Sequence, residues 1–136
     1  MRTYLDSSVL LRYLLAGDDR LRRLDGEARL ASSELISIEC RRVLQRERLE
    51  GRLDDEGYSQ LAALLASLLD GIDIIEMTEA VKRRAGDSFP TIVGTLDALH
   101  LSSALILRDA EKVAISILSY DKQMTTCALA LGFGLV

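Results

Sequence analysis

Short apolar segments alternate with stretches of helical character along almost the whole of this sequence. The short segments carry the β-branched and aromatic residues typical of buried strands, whereas the longer stretches repeat apolar residues at three- and four-residue intervals. Strands that alternate with helices predict a parallel, doubly wound α/β sheet. The predicted strands are residues 3–5, 35–36, 72–75, 113–118 and 135–136, and the predicted helices cover about 7–15, 18–29, 37–50, 54–69, 78–84, 95–107 and 122–131.

The fourth of these helices carries a stripe of leucines. They lie at i, i+3, i+4 and i+7, a spacing that places them on one face, which predicts packing against the core or against a second subunit. The stripe consists of Leu61, Leu64, Leu65 and Leu68.

Length, charge and cysteine content restrict the class of protein. The 136 residues suggest one domain over residues 1–136, and a formal net charge of −4 argues against indiscriminate binding of nucleic acid through a basic surface. Cys40 and Cys127 form neither a CxxC motif nor a zinc-binding pattern, so both are expected to be buried thiols. Asp6 interrupts the only apolar start, and no uncharged run approaches the roughly 18 residues of a membrane span, so we expect a cytoplasmic protein without membrane contact.

An acid stands where the first predicted strand ends. Asp6 follows residues 3–5 and precedes the first helix, so it lies at the edge of a parallel sheet where ligands commonly bind. Aspartate is also a favoured helix N-cap, and for a single residue that interpretation is the simpler one. The choice therefore depends on whether other acids reach the same edge.

Three further acids are expected at this edge. Asp121 follows the fourth strand, and Glu39 and Asp97 lie in the first turns of two other helices. Carboxylates that crowd together repel one another, and a divalent cation removes that penalty. A set of oxygen ligands without a Cys or His cluster favours Mg²⁺ or Mn²⁺ over zinc, and a metal-activated water is a nucleophile for phosphodiester hydrolysis.

These acids and their neighbours resemble the PIN-domain family, and most closely the VapC-type toxins of prokaryotic toxin–antitoxin pairs. The resemblance implies a PIN-like three-layer α/β/α fold with a short central parallel sheet and the acids at its carboxyl edge. It also implies an Mg²⁺- or Mn²⁺-dependent endoribonuclease with an RNA substrate, a small cognate antitoxin as partner, and a homodimer. The metal-binding catalytic acids would be Asp6 in Tyr-Leu-Asp-Ser-Ser, Glu39 in Ser-Ile-Glu-Cys, Asp97 in Leu-Asp-Ala-Leu-His-Leu, and Asp121 in Leu-Ser-Tyr-Asp-Lys-Gln.

The sequence departs from the family pattern at two positions. Ser119 stands where many members have threonine, which retains a hydroxyl, and Gln123 stands where some members have another acid. One ligand fewer weakens the case for a second metal ion.

Several other residues are candidates for contacts to the substrate or to the acids. Each has a structural alternative, since serines cap helices and arginines are usually solvated. Ser37 in particular is a candidate N-cap, and His100 is expected to be a buried structural residue rather than a base. The candidates for contacts are Ser8, Ser37, Ser119, Arg41 and Arg42.

Other functions share parts of this pattern. A PIN-fold RNA-binding module without catalysis usually lacks some of the acids, whereas a PIN-fold RNA-processing nuclease that is not a toxin retains them all. A response receiver requires an acidic pair at the end of the first strand, where Ser7 follows Asp6, and a haloacid-dehalogenase-like phosphatase requires Asp-x-Asp, where Ser8 stands second. The short chain favours the toxin among the nucleases.

Overall fold

The structure is a computed structural model that describes residues 1–24 and 26–136 and confirms the α/β class. Within those ranges it contains five strands and six helices. The strands are β1 (Arg2–Leu5), β2 (Arg29–Ser33), β3 (Asp73–Ile75), β4 (Ile115–Leu118) and β5 (Gly134–Leu135), and the helices are α1 (Ser7–Ala16), α2 (Leu35–Leu49), α3 (Asp55–Asp70), α4 (Glu79–Ala85), α5 (Thr95–Glu111) and α6 (Lys122–Ala130).

The five strands form one parallel sheet in the order β3-β2-β1-β4-β5. β1 therefore lies at the centre, and the chain extends the sheet to one side through β2 and β3 and to the other through β4 and β5. The strand order reverses between β1 and β4, where Leu5 is opposite Leu118. A reversal of this kind opens a crevice at the carboxyl ends of the strands, and it is the usual ligand site of open α/β sheets.

Helices cover both faces of the sheet and give three layers. One face is covered by α1, α2 and α3, with a core that includes Leu10, Leu44 and Leu65. The other face is covered by α5 and α6, with a core that includes Leu101 and Met124. Both faces of a parallel sheet are normally buried in this way, which is why its strands are continuously apolar.

The second strand lies earlier in the chain than the sequence predicts. β2 ends at Ser33, and residues 35–36, predicted as the strand, instead begin α2. Ser32 lies in this strand and is fully buried. Its hydroxyl can be buried because Oγ donates a hydrogen bond to the backbone oxygen of Leu5 at 2.7 Å. Ser37 is consequently a helix residue and not the predicted N-cap. A search for apolar runs misses this strand, because its buried serine is polar and forms its hydrogen bond within the sheet.

The predicted helix over residues 18–29 is wrong for the described residues. They form turns and the start of β2, whereas residue 25 lies outside the described part of the chain. The side chain of Asp18 accepts a hydrogen bond from the backbone nitrogen of Arg20 at 2.9 Å. This local bond competes with helix formation and favours a turn.

The leucine stripe of α3 is only partly buried. Leu65 is 2% exposed and packs in the core, but Leu64 is 38% exposed, so for Leu64 packing against a second subunit stays a prediction. The core contacts of α3 run instead through Leu61, Leu65, Leu68 and Leu69.

We expect Leu65→Ala to lower the free energy of unfolding by about 2–5 kcal/mol, because it removes a buried side chain and leaves a cavity. Leu64→Ala is the matched control one residue away, with an expected change of about 0.5 kcal/mol or less. Urea titration of both variants measures the difference. Equal losses would contradict the burial of Leu65, and light scattering would show whether Leu64 contacts a second subunit.

No helix in the described ranges is both long and apolar enough to span a membrane.

Candidate metal centre at the carboxyl edge of the sheet

The carboxylate of Asp6 lies at the point where the strand order reverses. It is 4% exposed, and it receives hydrogen bonds from Ser8 Oγ at 2.6 Å and from Ser119 Oγ at 2.7 Å, one on each oxygen. Asp6 occupies the N-cap position of α1, but its side chain makes no capping hydrogen bond. Burial raises the pKa of Asp6, and the two serine hydroxyls oppose that shift. Side chains thus hold the carboxylate at the crevice, and it does not cap the helix α1.

The two serines also connect Asp6 to the segment that follows β4. The backbone nitrogen of Tyr120 donates to Ser8 Oγ at 3.0 Å, and the backbone nitrogen of Asp121 donates to Ser119 Oγ at 2.9 Å. Each hydroxyl therefore accepts one backbone N–H and donates to one oxygen of Asp6. This arrangement fixes the segment relative to Asp6 and gives both predicted serine candidates a defined contact.

At the same edge of the sheet, the negative charge of Asp121 acts on the carboxylate of Asp97. Burial raises the pKa of Asp97 to about 6, and the next largest contributions are the negative charges of Asp121 and Asp6. Glu39 raises the same pKa further. Asp121 caps α6, because its Oδ1 accepts from the backbone nitrogen of Met124 at 3.1 Å. The negative charges of Asp6, Glu39 and Asp121 thus all act on Asp97, and the convergence of the four acids on a metal ion stays a prediction.

Glu39 is held by a side chain that the sequence did not connect to it. His100 Nε2 lies 2.6 Å from Glu39 Oε1, and His100 Nδ1 lies 2.8 Å from the hydroxyl of Tyr4. The other oxygen of Glu39 accepts from Ser7 Oγ at 3.4 Å. No sequence signal identifies Tyr4, which lies in an apolar strand, and the i, i+3 spacing from Asp97 was the only indication for His100.

Two grooves lie along α2, and one of them includes Glu39 in its lining. This groove has a volume of about 340 Å³ and also includes Arg42 and Arg46. The second has a volume of about 670 Å³ and includes Arg41, Arg42 and Arg46. Within the described part of the chain, none of these three arginines forms an ion pair. Arg42 is thus placed beside an acid, and Arg41 lies on the outer groove only.

Ser37 is the predicted site residue that the structure does not connect to the acids. It is a half-buried residue of α2, and none of the hydrogen bonds described above involves its side chain. It remains a candidate on sequence grounds alone.

The donor set fits a hard divalent cation by its chemistry. All four groups are carboxylates, and the pKa of Asp97 is raised first by burial and then by the negative charges of Asp121 and Asp6. Within residues 1–24 and 26–136, however, no three acidic, histidine or cysteine side chains converge closely enough to bind a metal ion directly. Mg²⁺ typically keeps several waters and uses only one or two carboxylates, so direct convergence of all four is not required.

Comparison with known proteins agrees with this geometry. The PIN-domain family matches residues 3–128. The chain is 27% identical over 137 residues to the ribonuclease VapC47 of Mycobacterium tuberculosis, covering 96% of this chain and 92% of that protein. Among solved structures, it is similar to VapBC2 from Rickettsia felis bound to a promoter DNA fragment, with a TM-score of 0.69, 16% identity and coverage of 100% and 98%. It is also similar to the toxin VapC20 of Mycobacterium tuberculosis, which cleaves the sarcin–ricin loop, with a TM-score of 0.64, 17% identity and coverage of 98% of both chains.

Proposed function

This chain belongs to the PIN-domain family, and from that premise we propose that it is a metal-dependent endoribonuclease and the toxin of a toxin–antitoxin pair. The proposal takes residues 1–136 as a single PIN domain. It is supported by the similarity to a ribonuclease named VapC47 and by the fold that the chain shares with toxin–antitoxin structures. RNA is the proposed substrate, and the proposed partners are a small antitoxin and a second copy of the chain in the cytoplasm.

The observation that carries the nuclease proposal is the carboxylate of Asp6 at the strand-order reversal, which is 4% exposed and held by two serine hydroxyls without capping α1. At the same edge, the pKa of Asp97 is raised by burial and then by the negative charges of Asp121, Asp6 and Glu39. Acids placed in this way favour a functional cation, Mg²⁺ or Mn²⁺. When bound, the cation supplies an activated water and charge stabilisation for phosphodiester hydrolysis.

The residues of the chain have separate roles in this proposal. Asp6, Glu39, Asp97 and Asp121 would hold the metal, one or two of them directly and the others through its bound waters, and Ser8 and Ser119 keep the carboxylate of Asp6 in place through bonds of 2.6 and 2.7 Å. Both oxygens of Asp6 already accept one hydrogen bond each, which leaves their remaining lone pairs for the ligand.

Arg42 and Arg41 are proposed to bind the RNA backbone along α2. Arg42 lines the groove that contains Glu39, and Arg41 lines the adjoining one. Arginine without an acidic partner is suited to phosphate, and some basic group must neutralise the backbone near an acidic centre. Ser37 lies one turn before Arg41 on the same helix and is kept as a weaker candidate for the same track.

We expect Arg42→Ala to raise the KM for RNA by about fivefold. The slope of the logarithm of the binding constant against the logarithm of salt concentration should fall in magnitude by about one, the value for one phosphate contact. Arg29→Ala is the matched control, because Arg29 is exposed and begins β2 at the opposite edge of the sheet. Cleavage rates at varied RNA concentration give the KM, and fluorescence anisotropy with a labelled oligoribonucleotide between about 50 and 200 mM salt gives the salt dependence of binding. If both variants weakened RNA binding equally, the effect would come from the loss of one positive charge and not from a phosphate contact at Arg42.

RNA cleavage with and without metal tests the function itself. The purified protein is incubated with structured and single-stranded RNA in Mg²⁺, in Mn²⁺ and in EDTA, with Asp6→Asn as the inactive control. Cleavage that persists undiminished in chelator would overturn the metal dependence. Growth arrest on expression, relieved by the product of a neighbouring small reading frame, would support the toxin; cleavage without arrest would favour an RNA-processing nuclease.

A further inference from the structure

We propose that His100 is a positioning residue for Glu39, held in its orientation by Tyr4. This inference rests on the proposed function, because it takes Glu39 as a metal ligand. It differs from the sequence-based expectation that His100 is a structural residue of an apolar helix face. The three side chains come from β1, α2 and α5, so the chain of contacts joins the two faces of the sheet at the site.

The contact between His100 and Glu39 is short and buried. Nε2 lies 2.6 Å from Oε1, and the histidine is 1% exposed. Glu39 is half-buried and has only a 3.4 Å contact from Ser7 Oγ on its other oxygen. One oxygen of Glu39 is therefore held tightly, and the other is left free to face the groove that it lines.

The direction of the hydrogen bonds follows from Glu39. An ionised carboxylate oxygen can only accept, so in the 2.6 Å contact the N–H lies on Nε2 of His100 and points at Glu39. In that tautomer Nδ1 accepts, and the hydroxyl of Tyr4 donates to it at 2.8 Å.

This arrangement has the pattern by which carboxylate ligands are usually oriented. A ligating carboxylate is itself hydrogen-bonded, and loss of the supporting partner typically lowers metal affinity by about 10–100-fold. Both ring nitrogens of the buried His100 have polar partners, and one of these partners is an oxygen of a proposed metal ligand. The edge-to-face contact of the rings, with centroids 5.9 Å apart, fixes the orientation of the imidazole as well.

The test measures metal affinity through stability, so that it does not depend on cleavage. Binding of Mn²⁺ to the folded state raises Tm, and titration gives the midpoint. We expect His100→Leu to raise the Mn²⁺ midpoint by about tenfold, His100→Gln to recover part of that loss through its amide donor, and Tyr4→Phe to raise it by about threefold. Leu101→Ala is the matched control: Leu101 is the next residue of α5 and fully buried, so this variant loses stability without touching Glu39.

The outcomes separate this inference from the proposed function. An unchanged midpoint in His100→Leu, or an equal shift in Leu101→Ala, would overturn the positioning role even if the wild type cleaves RNA. If His100→Leu does not fold, an unchanged midpoint in Tyr4→Phe overturns it instead. A raised midpoint in His100→Leu but not in Leu101→Ala would support the role, even if the wild type cleaved no RNA and the proposed function failed. With an active wild type, we also expect a higher Mn²⁺ concentration for half-maximal rate and an unchanged KM for RNA.

Discussion

Asp97→Asn is expected to abolish RNA cleavage and, at the same time, to stabilise the metal-free protein at pH 7.5. The loss in kcat/KM should reach about 10³-fold or more, which corresponds to about 4 kcal/mol of transition-state stabilisation. The gain in stability has a different origin. The carboxylate of Asp97 is half-buried and is also repelled by Asp121 and Asp6, whereas the amide of asparagine carries no charge to desolvate or to repel.

The pH dependence of the metal-free protein follows from the direction of this shift. The folded pKa of Asp97 is about 6, above its ordinary value of 3.8. The ionised group therefore costs stability above pH 6, and the cost is relieved as the pH falls from about 6 to 4, because the folded state binds the proton first. The full shift corresponds to about 3 kcal/mol, but Asp97 is half-buried, and solvent screening reduces the expected gain at pH 7.5 to about 1 kcal/mol.

Urea unfolding of the two proteins at pH 7.5 and pH 4.5, both in EDTA, measures this difference. The stabilities should differ at pH 7.5 and approach each other at pH 4.5. Added Mn²⁺ should reverse the order, since only the wild type has the full ligand set. A variant that is less stable than the wild type at pH 7.5 without metal would contradict the repulsion among the acids.

Cleavage is expected to leave a 5′-phosphate and a 3′-hydroxyl on every product. These ends result from attack by water, whereas attack by the 2′-hydroxyl of the RNA leaves a 2′,3′-cyclic phosphate. Internal attack typically needs a general base such as histidine, and His100 is the only histidine of the chain. Its ring is 1% exposed and both nitrogens are engaged, by Glu39 and Tyr4, so it cannot reach a substrate hydroxyl. The four carboxylates are assigned to the metal in the proposed site.

End-group analysis of a cleaved oligoribonucleotide distinguishes the two routes. Mass spectrometry distinguishes the products, because the phosphate stays on the 3′ fragment after attack by water and on the 5′ fragment after internal attack, and treatment with a 5′-phosphate-dependent exonuclease provides an independent check. A second substrate with a single 2′-deoxy sugar at the cleavage position serves as the control, because water attack tolerates it. Cyclic phosphate ends, or complete resistance of the deoxy substrate, would exclude the water route.

The places of the acids in the fold could be predicted, because the direction of a strand in a parallel sheet decides at which edge it ends. In a parallel sheet every strand ends at the same edge, so a residue such as Asp6 or Asp121 is placed as soon as its strand is recognised. Asp97 was predicted in the first turn of its helix and lies there as the third residue of α5. Glu39 was predicted in a first turn as well, but α2 begins two residues earlier than expected and places it in the second turn.

The contacts around the acids could not be predicted, because they join residues distant in sequence. The hydroxyl of Ser119 and the carboxylate of Asp6 are 113 residues apart, and His100 is 61 residues from Glu39. Nothing in the local pattern distinguishes a serine that orients a carboxylate from one that caps a helix. The same ambiguity caused the error at β2, where Ser32 and Ser33 are buried strand residues.

The hydroxyl bridges between Asp6 and the segment after β4 also set the order of events during synthesis. β1 emerges first from a ribosome, yet its neighbour β4 and the bonds from Ser119 and Asp121 come from the last fifth of the chain. A nascent chain can pair β1 with β2 but cannot hold Asp6 in its final surroundings until β4 is available. The proposed site is therefore completed late, because an unfinished chain that lacks β4 also lacks the hydrogen bond from Ser119 that holds Asp6.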